Sequence, residues 1–117
     1  MYDSIDINEI DQIHISTTNT LTANSRILLD IRDKYEYIIE NIRNSVNIPY
    51  NYLALLPENY LNKSSTYYIY CDSGKKSRKL CLLLNQLGYK TVDLIGGYQH
   101  YHKNYWIVIK NHYINVI

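Results

Sequence analysis

The sequence predicts an α/β domain with a mostly parallel central sheet. Two observations carry this. Short apolar runs of strand type recur along the chain, clearest at RILLDI (residues 26–31), TYYIY (66–70) and KTVDLI (90–95). Between them lie segments whose apolar residues repeat at helical spacing, best seen at Leu80, Leu83, Leu84 and Leu87. Strands alternating with helices are the pattern of parallel strands joined by crossover helices.

Taken in order, Ser4 to Ile7 alternates and predicts a short strand. Asn8 is an expected N-cap for a helix to about Ile15, with Glu9 and Asp11 in its first turn. Residues 16–25, STTNTLTANS, are polar loop formers. The run at 26–31 is apolar on both faces, as a strand covered on both sides would be. Residues 33–41 form a helix with Tyr35, Ile38 and Ile39 on one side and charges on the other. Residues 45–49 are a strand stopped by Pro49, and 52–56 a helix ended before Pro57. TYYIY is aromatic and β-branched, hence a strand. The helix over 77–87 ends at Gly88, where a left-handed cap belongs. Strand 90–95 turns at Gly96 and Gly97 into a last helix lined by Tyr98, Tyr101, His102 and Tyr105. Residues 106–117 are apolar and partly alternating, and the pattern assigns them no element.

At 117 residues the chain is one domain. Its hydrophobic fraction of 46% and charged fraction of 20% are ordinary for a folded domain. The net charge of +1 gives no indication of nucleic acid or an anionic membrane as partner. No apolar run approaches the ~20 residues of a membrane span. Fourteen tyrosines and no phenylalanine mean that tyrosine does the aromatic core work. The acidic N-terminus has no signal-like pattern, and two cysteines are too few for a secreted framework. A reduced, cytoplasmic setting is therefore expected. Asn62 begins a glycosylation-type triplet that has no meaning in that setting.

The chemistry concentrates at YCDSGKKS, residues 70–77. A strand ends, Cys71 follows, then a polar loop with Gly74, then a helix. N–H groups at a helix start have no intrahelical partner and favour negative charge. A loop curled on the sulfur would aim several of them at one point, and Gly74 permits the positive φ such a curl needs. With Lys75 and Lys76 alongside, the thiolate of Cys71 is favoured. Asp72 opposes this unless it points outward, as expected. Cys81 lies among leucines and reads as core. His14, His100, His102 and His112 have no metal-ligand spacing with cysteine.

Four separated pieces in order make the chain resemble the rhodanese-like family. LLDIR (28–32) followed by KYEY resembles its apolar–Asp–x–Arg motif. ENIRNSVNIP (40–49) resembles its Gly-His-Ile-Pro-Gly-Ala-x-Asn-Ile-Pro segment. YIYCDSGKKS resembles its strand and active-site loop, and LNQLGYKTVDLIGGY (84–98) its Leu-Gly-Tyr, strand and Gly-Gly run. The resemblance covers residues 26–105. Departures are Asn41 for His, Arg43 for Pro, Asn44 for Gly, and Lys76 where Arg is usual; lysine keeps the charge but loses the planar fork.

The resemblance implies a three-layer α/β/α fold and a sulfurtransferase. Cys71 would take a sulfur from a donor such as thiosulfate as a persulfide. A thiol, cyanide or partner protein would then accept it. The backbone of Asp72, Ser73, Gly74, Lys75, Lys76 and Ser77 would hold the persulfide, and the lysines the anionic donor. No metal or organic cofactor is implied. Asp30, Arg32 and Arg78 are candidate pocket or structural residues. For Asp30 and Arg32 a structural ion pair is the favoured reading, with Glu36 as a further partner for Arg32. Two rivals stand beside this. A cysteine phosphatase or arsenate reductase needs Cys-x5-Arg, but Ser77 holds that position and Arg78 falls one too late. A non-catalytic binding module would keep the fold without turnover.

Overall fold

The computed structural model describes residues 3–16 and 24–102. Its centre is a five-stranded sheet of β1 (Asp3–Asp6), β2 (Arg26–Asp30), β3 (Ser45–Asn47), β4 (Thr66–Tyr70) and β5 (Lys90–Ile95). The order across the sheet is β1-β5-β4-β2-β3, and every pairing is parallel. The helices are α1 (Lys34–Ile39), α2 (Tyr50–Leu55), α3 (Lys75–Gln86) and α4 (Gly97–His100). This is the α/β class read from the sequence.

Alternation along β4 divides the core in two. Tyr67, Ile69 and Cys71 pack with Leu53, Leu80, Cys81 and Leu84 from α2 and α3. Tyr68 and Tyr70 pack on the other side, with Ile7, Ile10, Ile42, Leu94, Tyr98 and Tyr101. Successive side chains of a strand point to opposite faces, so the thiol emerges on the α3 side.

α3 ends as its glycine requires. Gly88 has φ +96°. Its N–H donates to the Asn85 carbonyl, and the Tyr89 N–H to the Leu84 carbonyl, both at 3.0 Å. These paired bonds are a Schellman ending, which satisfies carbonyls the helix leaves open. Leu80 and Leu84 are buried, whereas Leu87 lies half outside.

Several expectations are corrected. The helix expected over 8–15 is a 3-10 helix at Ile7–Gln12, capped by Asp6 and not by Asn8. The Asp6 carboxylate accepts from Asn8 N–H at 3.0 Å, and Glu9 accepts from Asp6 N–H at 2.9 Å. That reciprocal pair uses an acid three residues before Glu9, a box in which Asn8 has no capping role. Ile7, expected in β1, is the first residue of this 3-10 helix.

The apolar side of α1 is uncovered: Tyr35, Ile38 and Ile39 are 65%, 66% and 78% exposed. α1 is under two turns long and only bridges β2 to the edge strand β3, so it has no sheet face to cover. The last helix is four residues long. Tyr98 and Tyr101 pack on the core as expected, but Tyr105 and residues 106–117 lie outside the described residues.

Candidate active site

Cys71 follows β4 directly, and the chain curls around its sulfur. The N–H groups of Gly74 and Ser77 donate to Sγ at 3.2 and 3.3 Å. Gly74 makes the curl at φ +95°. These are donors at the start of α3 turned onto one atom, an arrangement that stabilises negative charge on sulfur.

A second turn holds the loop from below. Tyr98 N–H donates to the Cys71 carbonyl at 2.8 Å, and Gln99 N–H to the Asp72 carbonyl at 3.0 Å. Gly97 makes this approach possible: a Cβ there would lie 2.3 Å from the Asp72 carbonyl oxygen. Its φ of +68° also belongs to the left-handed region.

Ser77 is tied to β5. Its hydroxyl lies 2.6 Å from Asp93 Oδ1 and 3.2 Å from the Gly74 carbonyl. Both Ser77 and Asp93 are buried. Burial raises the Asp93 carboxyl pKa, while the Ser77 bond and the charge of Arg78 partly offset this. Asp93 was not singled out in the sequence, although an acid inside the apolar run KTVDLI was the available signal.

A cavity of about 470 Å³ opens over the thiol. Cys71, Asp72, Ser73, Lys75 and Lys76 line it, together with Ile31, Arg32, Pro49, Tyr50 and Lys79. Gly74 and Ser77 serve the sulfur through their N–H groups. The Asp72 side chain is about half exposed, yet it also lines the cavity, 3.8 Å from Arg32 Nη1, so it does not simply point outward. Lys76 Nζ stands 5.7 Å from the Tyr50 ring. Arg78 is exposed and does not line the cavity; it acts on Asp93 through charge.

Asp30 and Arg32 form a buried pair. Arg32 Nε lies 3.1 Å from both Asp30 oxygens, and Nη2 donates to Oδ2 at 2.7 Å and to the Glu40 carbonyl at 2.6 Å. Its guanidinium lies 4.4 Å from the Tyr98 ring centroid. Burial pulls the guanidinium pKa down, but Asp30 more than offsets this and it ends above its ordinary value. The expected ion pair is present, and Arg32 also lines the cavity. Its second carboxylate is Asp72 at 3.8 Å, in the place expected for Glu36. Cys81 is fully buried, and burial, with Asp93 nearby, raises its thiol pKa well above the ordinary range. Among the described residues no group of histidines, cysteines and acids could hold a metal.

The model of the rhodanese-like domain matches residues 16–104. The chain belongs to the rhodanese-like family. The domain is 33% identical over 72 residues to the putative sulfurtransferase YtwF of Bacillus subtilis, covering 60% of this chain and 67% of that protein. It is 37% identical over 71 residues to the adenylyltransferase and sulfurtransferase uba4 of Ogataea parapolymorpha. That match covers 60% of this chain but only 18% of the larger protein. The crystal structure of a rhodanese-related protein from Thermoplasma volcanium superposes with a TM-score of 0.70 at 29% identity, covering 88% of this chain and 93% of that one. As a rhodanese-like domain, the chain has the fold that its four motifs implied.

Proposed function

We propose that this rhodanese-like domain transfers sulfane sulfur through a persulfide on Cys71. The observation that carries the reading is the pair of N–H donors on Sγ within a lysine-lined cavity. The Cys71 thiolate attacks the outer sulfur of thiosulfate. A Sγ–S bond forms, the donor S–S bond breaks, and sulfite leaves with the electron pair. An acceptor thiolate or cyanide then attacks the outer sulfur of the persulfide and returns the electron pair to Sγ. Gly74 and Ser77 N–H groups stabilise the charge on sulfur at both stages. Lys75 and Lys76 attract the anionic donor. A persulfide forms from a free thiol, so a reducing compartment such as the cytoplasm suits the reaction.

The test is intact mass after incubating reduced protein with thiosulfate. The expected result is a gain of one sulfur atom, removed by cyanide and absent in Cys71→Ser. No adduct from thiosulfate or polysulfide would make the domain a binding module instead. The phosphatase reading is disfavoured because Arg78 is exposed and stands away from the cavity; phosphate-ester hydrolysis dependent on Cys71 would restore it.

A further inference from the structure

α4 seats the loop around Cys71, yet it cannot hold itself. It is four residues long, Gly97–His100, far below the ~12–15 residues at which a helix persists alone. Gly96 and Gly97 lead into it at φ +100° and +68°, and His102, just beyond its end, has φ +56°. A left-handed backbone is rare for a residue with a side chain and persists only where the surroundings hold it. The position of α4 is therefore set from outside. That position decides where Tyr98 and Gln99 present their N–H groups to the Cys71 and Asp72 carbonyls.

The 3-10 helix at Ile7–Gln12 supplies the hold through two side chains. Asn8 brackets the end of α4: its Oδ1 accepts from His102 N–H at 2.7 Å, and its Nδ2 donates to the His100 carbonyl at 3.4 Å. Asp11 takes the same turn with its carboxylate. The Tyr101 hydroxyl lies 2.8 Å from Oδ1, and His102 Nε2 lies 2.5 Å from Oδ2. Asp6 is 3.5 Å from His100 Nε2, a looser contact between half-exposed groups. Ile7 and Ile10 of the same 3-10 helix are buried in the core on the side of the sheet opposite α3. Asn8 and Asp11 thus stand on an anchored base. Asn8 and His102 are 94 positions apart in the chain, so only the fold joins them.

We propose that Asn8 and Asp11 are positioning residues for Cys71. They clamp the turn after α4, and α4 holds the Cys71 and Asp72 carbonyls. The loop held in this way centres the Gly74 and Ser77 N–H groups on Sγ. Neither Asn8 nor Asp11 lines the cavity; both act through α4. The proposal rests on the sulfur-transfer reading, in which Cys71 attacks its donor as a thiolate. It makes the N-terminal segment, and not the loop alone, responsible for the state of the sulfur.

Alkylation by iodoacetamide reads the sulfur without any sulfur donor. Native protein and variants are labelled for timed intervals near neutral pH and at about pH 10, where an ordinary thiol is ionised without help. Peptide mass follows both cysteines. Asn8→Ala and Asp11→Ala should each slow labelling of Cys71 near neutral pH by about three- to tenfold, the effect of weakened hydrogen bonds to a charged atom. At the higher pH they should label as wild type does. Asp11→Asn keeps an acceptor oxygen for Tyr101 and should recover part of the rate. Glu9→Ala breaks the capping box of the same 3-10 helix, at a carboxylate given to Asp6 N–H. It should leave Cys71 labelling near the wild-type rate. Cys81, fully buried, should stay unlabelled throughout, which separates a displaced loop from an unfolded one. Wild-type rates in both alanine variants, equal slowing by Glu9→Ala, or faster labelling of both cysteines would overturn the proposal. The expected labelling rates in a protein that takes no sulfur from thiosulfate would instead count against the sulfur-transfer reading alone.

Discussion

The Ser77 hydroxyl and the Asp93 carboxylate stand 2.6 Å apart, joining the turn that donates to Cys71 to the middle of the sheet. The same Ser77 places its N–H 3.3 Å from Sγ. A buried strand residue therefore sets the position of one sulfur donor. Asp93→Ala is expected to cost about 1–3 kcal/mol of stability by leaving Ser77 without this partner. It should also slow thiosulfate loading of Cys71. Urea unfolding and the mass assay measure the two effects, and loading at the wild-type rate would show that Ser77 needs no such anchor.

The same carboxyl has a pH signature. Burial raises its pKa in the folded state, so the folded protein holds this proton to higher pH than the unfolded chain. Its contribution to stability therefore falls as pH rises from about 3.9, the ordinary aspartate value, through the raised one. Asp93→Asn removes that slope. Urea unfolding of the two proteins across the acid range should show the variant gaining relative to wild type as pH rises.

Gly97 has no room for a side chain. A Cβ would lie 2.3 Å from the Asp72 carbonyl, and the left-handed backbone adds about 1–3 kcal/mol of strain. Gly97→Ala is expected to lower the unfolding midpoint and abolish loading, because the shifted loop no longer centres Gly74 and Ser77 on the sulfur. Normal loading in a folded variant would show that the loop does not depend on this contact.

Arg32 neutralises a fully buried Asp30. Arg32→Ala should cost about 3–5 kcal/mol, the range for orphaning a buried charge. Arg32→Lys should recover only part, since one ammonium cannot reproduce the fork on Asp30 together with the Glu40 carbonyl contact. Equal stability of the lysine variant and wild type would argue that charge alone matters.

The two thiols should differ sharply. Both are buried, Cys71 at 4% and Cys81 at 0%, but Cys71 lines the cavity whereas Cys81 is enclosed with its pKa raised. Iodoacetamide on the native protein should label Cys71 alone, and both after unfolding. Peptide mass mapping checks this, and rapid native labelling of Cys81 would contradict the structure.

Strands β2, β4 and β5 were legible because they are buried runs of strand-forming residues. α3 was legible because its leucines repeat and a glycine closes it. The N-terminal helix was misread because Asp6 and Glu9 form the capping box while Asn8 looked the better cap. In α1, helical spacing gave the element and its apolar side, but periodicity does not say whether anything covers that side, and here it is exposed. In the loop, the thiol, the glycine and the lysines were all readable as local chemistry. Asp72 was readable only as a residue beside the thiol, and its place with Glu36 in the cavity wall was not.

The sequence by itself determined the α/β class, the thiol at a strand end and a loop able to turn donors onto it. Those depend on local residue type and on spacing within a dozen positions. Only the tertiary structure decided that Asp93 anchors Ser77, that Gly97 seats the loop, and that Glu36 of α1 and lysines of α3 line one cavity with Cys71. Each joins residues brought together by parallel strands, whose crossovers place neighbours in space far apart in the chain. No local pattern encodes such a meeting.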